Sequence, residues 1–212
     1  MAVSAVILIP AISPSTAAPQ EVFAWLTAVV ALAIVTGIIG WVISEITQGI
    51  AIKFTADTME KNQANLMTSF NFTVSKLLSL LAVSIITGIL IIIGLIALVI
   101  PGIILAIIFS LVVPAIIIEN TGALESLSRS RLLVSHRWLK TFGLLLLLYI
   151  IIGIVSVLVA LISIPFGIAA TLVSSILAAF IQPILPIGLT LYYYSMIARA
   201  TPQEPSLPTQ TV

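Results

Sequence analysis

A chain of 212 residues that is 61% hydrophobic and 7% charged, with a mean hydropathy of +1.32, carries more apolar surface than one soluble core of its size can hide. Lipid must therefore be part of its solvent. The net charge of +1 excludes a bulk nucleic-acid footprint, and the lack of cysteine excludes disulfides, thiol nucleophiles and thiolate metal sites.

Residues 1–21 begin with an apolar run that Pro10 and Pro14 break early and that no basic residue precedes. They read as a half-length apolar lead-in segment. Five stretches then reach the roughly 20 apolar residues that crossing a hydrocarbon core requires; they lie near 22–44, 77–100, 102–118, 141–164 and 169–192. Backbone in lipid must satisfy its own hydrogen bonds, and "LLLLLYIIIGIVSVLVALI" lacks the alternation of a barrel strand. The predicted fold is therefore all-α, a polytopic transmembrane helix bundle of about five spans over residues 22–199. Pro101 and Gly102 predict a tight hairpin between the second and third spans, and Pro165 with Gly167 another between the fourth and fifth. Gln182, Pro183 and Pro186 predict a kink within the last span. The polar, proline-rich residues 200–212 read as a disordered tail.

Between the spans lie two amphipathic segments. "ANLMTSFNFTVSKLL" places Leu66, Met67, Phe70, Val74, Leu77 and Leu78 at helical spacing, which predicts a helix along the membrane surface. "GALESLSRSRLLVSHRWLK" does the same with Leu124, Leu127, Val134 and Trp138, with Asn120 or Thr121 as N-cap. Span, surface helix and span thus occur twice, and "VSK" at 74–76 against "VSH" at 134–136 hints at a repeat.

Alternating the spans puts all eight Lys and Arg residues on one face of the membrane. By the positive-inside rule that face is cytoplasmic, which makes the chain a multi-pass cell-membrane protein with basic loops and C-terminus inside. Trp41, Trp138 and Tyr192 to Tyr194 fall at the same boundary, where amphipathic rings prefer to sit.

Ionisable groups near hydrocarbon are the candidates for function. Glu45 ends the first span and Glu119 the third. A helical projection puts Arg131 on the apolar face of the second surface helix, so Arg131 is the expected ion-pair partner of Glu119 or Glu45, with snorkelling to the headgroups as the alternative. Arg129, Ser130, Arg137 and Lys140 are the expected contacts to anionic lipid headgroups. The lone His136 beside Arg137 reads as a solvated interfacial residue, and Asp57 with Glu60 as a solvated turn. No metal cluster, phosphate-cradling glycine loop or serine elbow occurs, so the sequence offers no catalytic, cofactor-binding or metal-binding residue. "GIIG" at 37–40 and Gly88 with Gly94 suit helix packing and would equally serve a homo-oligomer.

From Ile100 to Leu148 the chain resembles the membrane domain attached to some glycerophosphodiester phosphodiesterases and the related YciC-like integral membrane proteins. The resemblance rests on Pro101 and Gly102, Pro114 and Glu119, Arg129 with Ser130 and Leu132, the patch Arg137, Trp138 and Lys140, and Phe142 with Gly143. It implies a membrane domain, usually of six spans, and no catalytic residues, because in the fused enzymes the chemistry belongs to a separate soluble domain.

The reading that follows is a non-enzymatic membrane protein, without a cofactor, whose cytoplasmic surface engages anionic lipid headgroups or a partner. A small-solute or lipid transporter is the alternative, which the kinked last span and Glu45 would suit.

Overall fold

The computed structural model describes residues 19–135 and 137–200. The expectations for residues 1–18, His136 and the tail from 201 onward lie outside them. All regular structure among the described residues is helical, and five helical spans are long and apolar enough to cross a membrane. The chain divides into two compact units, one ending at Glu45 and one beginning at Ile46.

Helix α1 runs from Pro19 to Lys61, and its part up to Glu45 makes up the described portion of the first unit. Phe23, Val30, Ile34 and Ile38 are exposed around a helix that is apolar on every side, as a lipid-bathed span should be. Its 43 residues are roughly twice the number that crossing a hydrocarbon core requires. The residues beyond Glu45, which lie outside the first span expected at 22–44, are a continuation of the helix. The cause is an inward stripe: Gly49, Ile52 and Ala56 recur at helical spacing and are all buried. Asn62, with φ of 52°, ends α1 in the left-handed conformation that asparagine tolerates.

The second unit adds α2 (Leu66–Ser75), α3 (Leu77–Ala97), α4 (Val99–Ile108), α5 (Val112–Ile118), α6 (Ala123–Ser135), α7 (Trp138–Ser163), α8 (Ala170–Ile181) and α9 (Ile184–Ala200). The α3–α4 hairpin breaks at Leu98, whose backbone is extended, and not at Pro101 and Gly102. Pro101 lies in the first turn of α4, where its missing N–H costs nothing. Gly102 serves close approach instead: a Cβ on Gly94 would lie 2.9 Å from the Gly102 Cα, so the pair lets the two backbones touch. Between α7 and α8 a short 3-10 segment, Ile164–Ala169, turns at Gly167, whose φ of 51° and ψ of −120° require glycine. The last span is interrupted at Gln182 and Pro183, yet Gln182 keeps right-handed helical angles, so the span bends there and continues.

Burial is concentrated toward the end of the unit where α1 finishes and α7 begins. Ile52, Leu80, Val83, Val112, Ile116 and Ile117 form one cluster. Ile107, Leu111, Ala115, Leu133, Val134, Tyr193 and Met196 form another. Along α7 and α8, by contrast, Ile150, Leu158, Leu172 and Phe180 are exposed. Such side chains gain nothing from facing inward when lipid tails are as apolar as they are.

The two surface helices dock differently from expectation. Asn65 caps α2, its side chain accepting from the N–H groups of Met67 and Thr68. Ser69 and Thr73 are the buried residues of α2, while Leu66, Met67, Phe70 and Val74 are exposed. In α6 the buried residues are Ser126, Ser130, Leu133 and Val134, with Leu124 exposed and Leu127 half-buried. Neither expected N-cap holds α6. Asn120, at φ of 56°, closes α5 instead, and the Thr121 hydroxyl donates back to the Ala115 carbonyl at 3.1 Å.

A candidate anion site at the basic end

Topology brings all eight cations to one end of the second unit: the close of α1, the α2–α3 joint, α6, the start of α7 and the close of α9. Three of them are matched to carboxylates within the protein. Lys53 and Lys61 each donate to Asp57 Oδ1 at 3.0 Å, one helical turn away on either side. Lys53 also sits over the Phe72 ring of α2, 4.8 Å from its centroid. Asp57 is buried, so the solvated turn expected of it is overturned: it is the centre of a helical charge triplet. Its neighbour Glu60 accepts a hydrogen bond of 2.5 Å from the Tyr194 hydroxyl, tying α1 to α9.

Arg129 is the third. Its Nε donates to Glu119 at 2.8 and 3.0 Å and its Nη2 at 2.7 Å, a fork that locks the middle of α6 to the end of α5. The hydrogen bonds that Arg129 donates to Glu119 raise its pKa above the ordinary value, against the opposing effect of burial. The expected partner, Arg131, is exposed two residues further on, which is a correction. The projection failed because it oriented α6 by Leu124, Leu127, Val134 and Trp138, whereas the residues that are buried are Ser126, Ser130, Leu133 and Val134. Once Ser126 and Ser130 face inward, Arg129 lies at the edge of the buried stripe and Arg131 across from it. Glu45, the other carboxylate considered, is buried at the end of the first unit. Tyr193 is wholly buried beside the Glu119–Arg129 fork, and its hydroxyl interacts with both charges without a hydrogen bond of good geometry.

Of the four expected headgroup contacts, two are thereby occupied. Arg129 is held by Glu119, and Ser130 is buried, donating at 2.6 Å to the Ile108 carbonyl that the α4–α5 break leaves open. The other two remain at a surface. Arg137 and Lys140 line a cavity of about 510 Å³ together with Trp138, Leu139 and Arg199. Arg199, in the last turn of α9, was not among the sequence candidates, although its position as the only cation after the last span was a usable signal. Arg137 joins α6 to α7 through its backbone: its N–H donates to the Val134 carbonyl at 2.8 Å, and its carbonyl accepts from the N–H groups of Lys140 and Thr141 at 2.9 and 3.1 Å. Beneath the cavity, Thr141 Oγ1 and Tyr192 Oη are hydrogen-bonded at 3.0 Å and join α7 to α9. The three tyrosines expected at the membrane boundary thus bond or pack internally.

The arrangement offers positive charge, donors and an apolar margin, and among the described residues it contains no pairing of nucleophile with base. A family model described as a domain of unknown function (DUF7847) matches residues 1–200. No curated protein and no solved structure matches the chain.

Proposed function

The chain belongs to the DUF7847 family, and since that description assigns no activity, we propose from its own geometry that it is a non-catalytic, multi-pass cell-membrane protein that holds anionic lipid headgroups at its cytoplasmic face. The observation that carries this reading is the convergence of Arg137, Lys140 and Arg199 on one cavity that, among the described residues, no acidic side chain lines. Lys53, Lys61 and Arg129 are satisfied by the protein's own carboxylates, and this cluster is left to be satisfied from outside. Exposed Trp138 and Leu139 at the rim suit the interface between headgroups and tails. The orientation rests on the eight cations sharing one end, which biases that end against translocation.

The test is lipid-resolved mass spectrometry of the purified protein. Arg137→Gln with Arg199→Gln is expected to lower co-purifying anionic lipid several-fold while the fold is retained, and unchanged lipid content would overturn the reading. Cysteine introduced at exposed Ser128 should react with an impermeant reagent only from the cytoplasmic side. The bend at Gln182 and Pro183 is the feature that favours the transporter alternative, because interrupted spans line translocation paths. Solute flux through proteoliposomes, with lipid content indifferent to the arginines, would establish it.

A further inference from the structure

We propose that the cavity is built for a membrane lipid whose headgroup carries two negative charges, in preference to one carrying a single phosphodiester. This rests on the headgroup reading above and adds to it a count of charge. Among the described residues, three cations surround the cavity and no carboxylate lines it. A monoanionic headgroup would leave two uncompensated positive charges within one small volume, and a dianionic headgroup would leave one. Of the ion-pair groups at this end, the Arg129–Glu119 fork is neutral, and the triplet of Lys53, Asp57 and Lys61, two cations on one carboxylate, leaves one positive charge over. A dianion among Arg137, Lys140 and Arg199 reaches the same balance.

Geometry agrees with the charge. The cations come from two helices, Arg137 and Lys140 from the start of α7 and Arg199 from the end of α9, so a ligand that satisfies all three must bridge them. Two guanidinium forks and one ammonium provide more donors than the oxygens of a singly charged diester can use. A volume of about 510 Å³ lies in the range of roughly 300 to 1,000 Å³ typical of organic ligands, well beyond a lone ion. The source of the phosphate is a lipid because the same cavity is walled by Trp138 and Leu139, and exposed Leu139, Phe142 and Leu146 carry an apolar track from it along α7 for an acyl chain to follow.

The experiment uses the full chain in phosphatidylcholine nanodiscs at a pH above about 7.5, where a phosphomonoester with a second pKa near 6 is doubly charged. Phosphatidic acid and phosphatidylglycerol are compared at matched surface charge. One further charge contact near the interface is worth about 1 kcal/mol, so phosphatidic acid is expected to bind roughly fivefold more tightly. Arg199→Gln and Lys140→Gln, each removing one cation from an exposed position, should cut that preference below about twofold, and Lys140→Arg should keep it. Equal binding of the two lipids, both weakened by the same variants, would overturn the charge count while leaving the headgroup reading standing. Binding of neither lipid, or binding indifferent to all three cations, would overturn both. If inorganic phosphate displaced phosphatidic acid and stabilised the protein equally well, the ligand would be free phosphate and the lipid source would be wrong.

Discussion

The surface helices α2 and α6 share a plan and differ in how far they have been drawn into the protein. Each follows a span, each precedes another, and each presents small hydroxyl residues inward, Ser69 and Thr73 in one and Ser126 and Ser130 in the other. Yet α6 also buries Leu133 and Val134 and is fixed at its middle by the Arg129–Glu119 fork, whereas every large apolar residue of α2 between Leu66 and Phe70 is exposed. The difference shows what amphipathicity means beside a bilayer. In water the apolar stripe of a helix points to the core; here a small polar stripe lets backbones approach and the apolar stripe is left for lipid.

The largest effect should come from unlocking α6. Glu119→Gln leaves a partly buried guanidinium without its fork and is expected to lower stability in detergent by about 2 to 3 kcal/mol. Arg131→Gln should change it by less than about 0.5 kcal/mol. A double-mutant cycle should give coupling of about 1 kcal/mol or more for Glu119 with Arg129 and additivity for Glu119 with Arg131. The reverse pattern would restore the pairing that the helical projection favoured.

Next comes the docking of α2. A Cβ at Gly49 would collide with the Thr73 side chain, which is stiff at χ1, wholly buried and held by its hydroxyl to the Ser69 carbonyl at 2.8 Å. Gly49→Ala is therefore expected to cost about 2 kcal/mol by overpacking. Thr73→Ser, which removes the colliding methyl and keeps the hydroxyl, should recover most of that loss, and thermal midpoints of the single and double variants would show it. Asp57→Asn should follow at about 1 kcal/mol, since Lys61 is largely exposed and recovers hydration when its partner is neutralised.

The helical fold and the number of spans were legible in the sequence because runs of about 20 apolar residues have few other uses. The joints were legible only approximately. Proline marks where a helix cannot continue, but it also starts one well, so Pro101 signalled the hairpin while the turn itself fell at Leu98. The continuation of α1 past Glu45 was hidden by its polar residues, although Gly49, Ile52 and Ala56 already carried a helical period. Within the candidate site, Arg137 and Lys140 were legible from charge and position alone. Arg199 joins them only through the return of α9 to the start of α7, a contact between positions about sixty residues apart that no local pattern encodes.

The smallest effect on stability should come from the feature that most distinguishes α2, its outward apolar face. Leu66, Met67 and Phe70 are 66%, 65% and 42% exposed, so replacing Leu66 and Phe70 by serine removes little that the folded protein buries. In detergent the change should stay within about 0.5 kcal/mol. In a bilayer the same residues face a different solvent, and each side chain withdrawn from water into the acyl boundary contributes up to about 2 kcal/mol. A fluorophore on α2, read against quenchers at graded depth, should therefore move toward water in the double serine variant even though the thermal midpoint in detergent is unchanged. The equivalent substitution in α6, Leu133→Ser, should do the opposite: a cavity and an unsatisfied hydroxyl in the Ile107 and Tyr193 cluster would lower the midpoint and leave the depth alone. Identical behaviour of the two variants would mean that both helices are held in the same way, and that the exposed face of α2 is covered by protein and not by lipid.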